Sequence, residues 1–153
     1  MRVFVPNVFS YQAPPGWTLL KVSPDAASQV PYPVAIDPGH DPDHPRALIT
    51  VNVDSSPQPL LDWCRGSLER SRAQFAEYQA RIGDPEPFTT AAGVRALRAP
   101  IYLTAGSKPL RYEMYFFDAP GGQKLAVACT CPAEDVDHYL PLFETAMKTF
   151  VAY

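Results

Sequence analysis

The chain has 153 residues, of which 46% are hydrophobic and 19% are charged, and its formal net charge is −3. This length and composition are typical of one globular domain with its own core, residues 1–153, and they argue against a disordered chain. The slightly negative charge lacks the basic surface that a phosphate backbone requires, so we do not expect a nucleic-acid partner.

The cysteine count and the N-terminus bear on the compartment. Three cysteines, Cys64, Cys129 and Cys131, leave one thiol unpaired in any disulfide scheme, which favours a reducing compartment. Residues 1–7 contain no apolar run of the kind that a secretory signal has. No stretch reaches the roughly 18 apolar residues of a membrane-spanning helix. We therefore expect a cytoplasmic protein without a membrane span.

Prolines shape the first part of the chain, which carries 11 of the 18 prolines within 60 residues. Proline lacks a backbone N–H and fixes φ, so this part is predicted to form short edge strands joined by rigid loops. The extended segments are predicted at residues 9–12, 17–22, 32–36 and 47–53.

The loop at residues 37–45 holds three prolines, one glycine, three aspartates and the histidines His40 and His44. Histidine and aspartate are common ligands of divalent metals. Because no spacing of a known metal motif is present, we predict no metal site. Binding of a small ligand or a metal by this loop is kept as an alternative function.

A helix is predicted at about residues 58–79 because apolar residues recur there at spacings of three and four. Cys64 lies within this apolar stripe, and we expect a buried structural thiol there. The stripe consists of Leu60, Leu61, Cys64, Leu68, Ser71, Phe75 and Tyr78.

Three strands follow, at residues 93–104, 110–118 and 124–131, and their short connections allow only antiparallel pairing. A final helix is predicted at about residues 133–151. Its Pro141 predicts a short initial turn or a kink, with regular helix starting close to that proline. The fold class is therefore α+β, an antiparallel sheet flanked by helices, with the strand at 110–118 in a central position.

Side chains alternate between the two faces of the strand at 110–118. The apolar face, which should pack on a helix, presents Leu110, Tyr112, Met114 and Phe116. The mixed face is predicted to be only partly covered and to bind a partner through Arg111, Glu113, Tyr115 and Phe117. An ordinary half-solvated sheet face with an Arg–Glu pair is the alternative. Cys129 and Cys131 share one side of their strand at about 6–7 Å, so core packing without a mutual disulfide is expected.

Motifs of catalysis are not found. The sequence has no glycine-rich phosphate loop, no Gly-x-Ser-x-Gly elbow and no zinc-protease helix. His138 stands beside Asp135 and Asp137, but no nucleophile is available for it to activate. We predict no catalytic residue, no cofactor and a non-enzymatic protein.

The order of elements and three local segments resemble the PsbP-like α/β/α sandwich, and in particular its DcrB-like bacterial branch, to which the Eag chaperones of type VI secretion effectors belong. The resemblance covers about residues 8–152. Residues 9–17 (FSYQAPPGW) resemble the opening strand and turn, residues 92–96 (AGVRA) the start of the meander, and the closing helix is matched by residues 131–134 (CPAE), 139–143 (YLPLF) and 148–150 (KTF).

This resemblance implies binding rather than catalysis. Members support a photosystem, release nucleotide from a small GTPase or hold hydrophobic effector segments, and no catalytic residue carries over. We therefore predict a protein-binding module or small chaperone-like adaptor, connected with secretion, that takes an apolar or amphipathic segment of a partner protein. A homodimer is left open. An enzyme of an unrecognised kind is the third and least favoured reading.

Overall fold

The computed structural model describes residues 1–20, 32–39, 44–105 and 108–153. Its larger sheet is built around β9 (Lys108–Asp118), which pairs antiparallel with β8 (Arg95–Ala105) on one side and with β10 (Gln123–Pro132) on the other. The predicted central position of this strand is confirmed. The sheet continues from β10 through β5 (Ala47–Ser55) and β4 (Ala35–Asp37) to β3 (Thr18–Leu19), while β6 (Arg81–Ile82) and β7 (Glu86–Thr89) both pair with β8.

A second, three-stranded sheet joins the beginning and the end of the chain. β1 (Arg2–Val5) and β2 (Phe9–Gln12) form a hairpin, and β11 (Val151–Ala152) pairs with the other side of β2. The inward side chains of this sheet, Val3, Phe9 and Tyr11, are buried in the same core as Phe150, which precedes β11. The small sheet therefore closes one side of the molecule.

Two helices lie on opposite faces of the larger sheet, and each covers its own core. α1 (Leu60–Gln74) packs Trp63, Cys64 and Leu68 on the face that includes Phe116. α2 (Val136–Lys148) packs with the small sheet on the face that includes Tyr115 and Phe117. This arrangement confirms the predicted α+β class with helices on both sides of an antiparallel sheet. In the described part of the chain, neither helix is long and apolar enough to cross a membrane.

Several elements depart from the sequence prediction, and α1 ends at Gln74 rather than at about residue 79. α2 begins at Val136, so the expectation that regular helix starts close to Pro141 is wrong, although a short 3-10 turn at Ala133–Asp135 does precede the helix. The predicted helix also runs too far, because the chain leaves it after Lys148 to form β11. Strands β1, β6 and β7 were not predicted, and residues 21 and 22 of the predicted second strand lie outside the described residues.

Candidate partner-binding surface

The four residues predicted to bind a partner are buried. Arg111 is 9% exposed, Glu113 6%, Tyr115 1% and Phe117 0%. They share one face of β9, as the alternation predicts, but this face carries the larger core of the molecule. The prediction of a partly covered face is therefore wrong. The physical reason is that α2 and the small sheet both pack on it, which the pattern of a single strand cannot show.

Arg111 and Glu113 satisfy each other inside the protein. The Nη2 of Arg111 donates to Oε2 of Glu113 at 2.7 Å, and its Nη1 donates to the hydroxyl of Tyr102 at 2.5 Å. A buried charge is tolerated only when it is paired and hydrogen-bonded, and this pair meets that condition. The Nε of Arg111 has no hydrogen-bond partner among the described residues. The pair thus belongs to the interior of the sheet and is not offered to solvent.

The two aromatic members are anchored in the same core. Phe117 stacks on Phe150 with ring centroids 4.2 Å apart, and Tyr115 meets the ring of Phe88 edge to face at 5.0 Å. Burial raises the pKa of the Tyr115 phenol well above its usual value. A partner cannot reach these rings in the described conformation, so a binding surface has to be sought elsewhere.

The opposite face of the same sheet is covered only in part. α1 packs on β8 and β9, and no helix of the described residues lies over β10 and β5 on this side. Ile36 of β4, which faces the same way as Leu48, is buried. The register of the paired strands places a set of half-buried side chains there, mostly apolar and mostly small. We call this set the open sheet face: Leu48, Thr50, Ala126, Ala128 and Thr130, with Tyr112 and Met114 of β9 at its border with α1.

Two side chains of this surface, Leu48 and Ala128, are not part of the hydrophobic core. Neither side chain packs against either of the two hydrophobic clusters formed by the described residues. The hydroxyl oxygen of Thr130, on the same face, is buried without a hydrogen-bond partner among those residues. Apolar side chains at the centre of a sheet are normally covered by a further layer of structure. The open sheet face is therefore a candidate for contact with another molecule.

One flank of α1 borders the open sheet face. Trp63 marks this flank, because its Nε1 donates to Oδ2 of Asp54 on β5 at 3.1 Å. Helical periodicity places Gly66, Ser67 and Arg70 along the same flank. Arg70 donates from Nη2 to the hydroxyl of Ser67 at 3.1 Å, and the described residues include no carboxylate bonded to it. This flank of α1 thus has small side chains at Gly66 and Ser67 and one positive charge at Arg70.

The far end of the open sheet face opens into a cavity of about 350 Å³. Leu110 and Pro132, which face each other across β9 and β10, form its floor. Lys108 and Glu134 stand at its rim with opposite charges, beside Pro109. This cavity lengthens the apolar surface beyond Tyr112 and ends it with polar groups, which is the usual arrangement of a recognition surface with a polar rim.

The thiols are not arranged for nucleophilic chemistry. All three cysteines are buried and unbridged, as predicted. Burial raises the pKa of Cys64 to about 11 and that of Cys131 to about 11, although Arg111 acts in the opposite direction on the latter. The pKa of Cys129 is also raised well above its usual value by burial. A reactive cysteine has a depressed pKa and is accessible, so these three are packing residues.

The histidines are not brought together with metal ligands. His138 lies exposed on α2 with its ring 4.8 Å from that of Tyr139. His44 is exposed, whereas residues 40–43, including His40, lie outside the described residues. Within the described ranges, no group of three or more histidine, cysteine or acidic side chains has the spacing to hold a metal ion. Ligand binding by the loop at 37–45 stays a prediction.

Comparison with known proteins identifies the fold. No family model matches the sequence, and no curated protein matches it. Among solved structures, the chain is similar to cyanobacterial PsbP (CyanoP) from Synechocystis sp. PCC 6803, with a TM-score of 0.70 and 15% identity over 100% of this chain and 92% of the other.

Two further structures show the same architecture. PA94 of Pseudomonas aeruginosa, a protein of unknown function, has a TM-score of 0.66 and 19% identity over 90% of this chain and 97% of its own. LpqN of Mycobacterium tuberculosis, involved in cell envelope biogenesis, has a TM-score of 0.67 and 15% identity over 99% of this chain and 88% of its own. At these identities the likeness concerns the fold alone, and the chain therefore has a PsbP-like fold.

Proposed function

We propose that the chain is a non-catalytic protein-binding module that holds an amphipathic helix of a partner protein against the open sheet face. One observation carries this proposal: α1 covers β8 and β9, while Leu48 of β5 and Ala128 of β10, on the same face, pack against neither hydrophobic cluster of the described residues. Apolar surface at the centre of a sheet that the described residues leave only half-buried is where an interaction is expected.

The dimensions of the open sheet face suit a helix. Strands lie about 4.8 Å apart, so β10 and β5 together offer a width of roughly 10 Å. A helix with its side chains is about 10 Å across and fits beside α1 in that space. β5 and β10 are paired over eight residues, from Leu48–Thr130 to Ser55–Gln123. At about 3.3 Å per residue this is roughly 26 Å, the length of a helix of about 17 residues.

The small side chains of the floor and the flank allow close approach. Thr50, Ala126 and Ala128 keep the floor low between the larger Leu48 and Met114. On α1, Gly66 leaves room at its Cα, since an added Cβ would meet only the end of the Arg70 side chain at 3.6 Å. Interlocking of large and small side chains sets the distance between packed helices. A partner helix with bulky apolar residues would fill this groove.

The positive charge on the flank of α1 favours a partner helix with an acidic residue. Arg70 is exposed and has only the Ser67 hydroxyl as a described polar partner. An acidic residue on the edge of the bound helix would complete its interactions and fix the orientation of the helix. The same chemistry would serve an adaptor in secretion or in envelope assembly. LpqN, which shares the fold, is described as involved in cell envelope biogenesis.

The absence of a catalytic step is part of the proposal. The protonated, buried thiols support it, because the elevated pKa of Cys64 and Cys131 keeps both in the thiol form at neutral pH. Placement in the DcrB-like branch with the Eag chaperones is likewise proposed, on the resemblance of residues 9–17, 92–96 and the closing helix to that branch.

Site-specific photo-crosslinking tests the surface directly. A benzophenone amino acid is placed at Ala128, in the open sheet face, and, as a matched control, at Ala73, on the exposed side of α1. We expect the Ala128 probe to crosslink one protein in cells and the crosslinked peptide to be an amphipathic helix. The same peptide, synthesised, should then bind the purified chain in a titration.

Substitutions complete the test with the synthetic peptide. Ala128→Arg should weaken binding by at least about tenfold, because it places a charge in the apolar floor, whereas Ala73→Arg should leave the affinity unchanged. Equal crosslinking from both positions, or a peptide whose affinity ignores Ala128→Arg, would place the partner elsewhere. The thermal stability of both variants is measured alongside to separate binding from folding.

A further inference from the structure

The outer edge of β1 is a second, independent feature. β1 pairs only with β2. The N–H of Ala13 donates to the carbonyl of Met1 at 2.9 Å, which fixes the bonded positions of this hairpin at every second residue. The amide groups of Arg2 and Phe4 therefore point away from β2, and no partner for them occurs among the described residues.

The side chains at this edge protect it only in part. Phe4 is 55% exposed, and its ring meets that of Tyr153 edge to face at 6.2 Å. Arg2 donates from Nη2 to the hydroxyl of Ser10 at 2.9 Å and has no described carboxylate partner. Natural edge strands are usually blunted by short length, charged side chains, proline, a bulge or a covering element. β1 has four residues, with Arg2 at one end and Pro6 beyond the other, so pairing with another strand is confined to the stretch around the exposed Phe4.

We propose that this edge pairs with β1 of a second copy of the chain in an antiparallel, two-fold symmetric dimer. Pairing across a two-fold axis leaves three registers for the outward residues. Arg2 opposite Arg2 would place like charges together. Phe4 opposite Phe4 would bring Arg2 against Pro6, which has no N–H to donate.

The remaining register places Arg2 of each copy opposite Phe4 of the other. Both residues have outward amide groups, so each of the two residue pairs exchanges two backbone hydrogen bonds. Both side chains lie on the outer face, where each guanidinium would lie beside a phenylalanine ring, a favourable contact for a cation. In this one register, the backbone groups and the side chains of the edge both complement those of an identical strand. The partner of the edge is therefore a second copy of the chain.

The dimer would join two small sheets into one of six strands. It rests on the side of the molecule that carries α2, away from the open sheet face, so neither surface depends on the other. Two short strands bury little area, and interfaces below roughly 1,200 Å² are weak and transient. The expected dissociation constant is therefore in the range of about 10 μM to 1 mM.

Sedimentation equilibrium across that concentration range tests the pairing. The weight-average mass of the untagged chain should rise from 16.9 kDa towards twice that value. Phe4→Pro removes an N–H that β2 does not use, so the hairpin keeps its own bonds while the new pairing loses donors. We expect at least about a tenfold rise of the dissociation constant, with the monomer still folded and its melting temperature lowered only by the loss of the ring contact between Phe4 and Tyr153.

Two substitutions of opposite charge at position 4 test the register. Phe4→Lys places like charges beside Arg2 and should abolish the dimer, whereas Phe4→Glu places opposite charges there and should keep it within about threefold of the parent. A chain that stays monomeric at all concentrations overturns the proposal, as does dimerisation of Phe4→Lys at the parent strength. Equal loss in Phe4→Lys and Phe4→Glu overturns the register. These two variants decide the matter even where Phe4→Pro fails to fold.

Discussion

The buried pair of Arg111 and Glu113 provides the sharpest test of which sheet face is interior. Their side chains are only 10% and 8% exposed, and their charges meet at 2.7 Å. Glu113→Gln keeps the shape of the side chain but leaves the guanidinium without a counter-charge. Breaking a buried ion pair costs about 3–5 kcal/mol. Because Arg111 keeps the hydroxyl of Tyr102, we expect the lower end, about 3 kcal/mol.

The measurement is the free energy of unfolding in a urea titration, supported by the melting temperature. A loss of about 3 kcal/mol lowers the melting temperature of a domain this size by roughly 6–12 °C. The control is the double variant Arg111→Met with Glu113→Leu, which replaces the pair by apolar groups and should lie close to the parent. A cost of Glu113→Gln below about 1 kcal/mol would mean that water reaches the pair, and the mixed face of β9 would again be the candidate surface.

Three further outcomes are expected. Tyr115→Asp should prevent folding, seen as loss of the near-ultraviolet dichroism, because it places a charge at a fully buried position; a folded variant would show that the ring is dispensable to the core. The folded-state pKa of about 11 for Cys64 and Cys131 lies above the usual 9.0, so their contribution to stability is complete below pH 9 and is lost as pH rises towards 11. Urea titrations across that range should show a falling free energy of unfolding, and this fall should be smaller when both cysteines are replaced by alanine. Trp63→Phe should cost about 1–2 kcal/mol through loss of its hydrogen bond to Asp54, whereas Asp54→Asn, which keeps an acceptor, should cost less.

The sequence pattern predicted the larger elements because their periods are long and regular. Alternation over residues 110–118 identified β9, and apolar spacing identified both helices. Short strands carry too few residues for such a signal. β1 has four residues and is followed by Pro6, and β6 has only two. Both form because tertiary partners, β2 and β8, supply their hydrogen bonds.

The choice between the two faces of β9 required information from other strands. A charged pair at 111 and 113 suggested solvent, yet an ion pair whose members bond each other can be buried. The neighbouring strand held the better signal. On β10 the large residues Leu125 and Val127 alternate with the small Ala126 and Ala128. The face with the larger side chains forms the main core, and reading β10 together with β9 would have indicated it.

Pro141 shows why the start of α2 was misplaced. A proline in a helix interior removes one hydrogen bond and disfavours the turn before it. Here the cost is offset by burial, because Tyr139 precedes the proline on the apolar face and donates to Oδ2 of Asp37 at 2.6 Å. Packing of this first turn is a tertiary effect that local propensity does not contain.

The small sheet has a consequence for how the chain folds during synthesis. Its middle strand pairs with residues near both ends, and Ser10 contacts Tyr153 across 143 positions. Until β11 has left the ribosome, the hairpin of β1 and β2 has no third strand, and Phe9 and Tyr11 have no Phe150 to stack on. The aromatic side of the hairpin therefore stays exposed until the residues between β2 and β11 have been synthesised. Such late closure slows folding and leaves nascent chains in need of protection from aggregation.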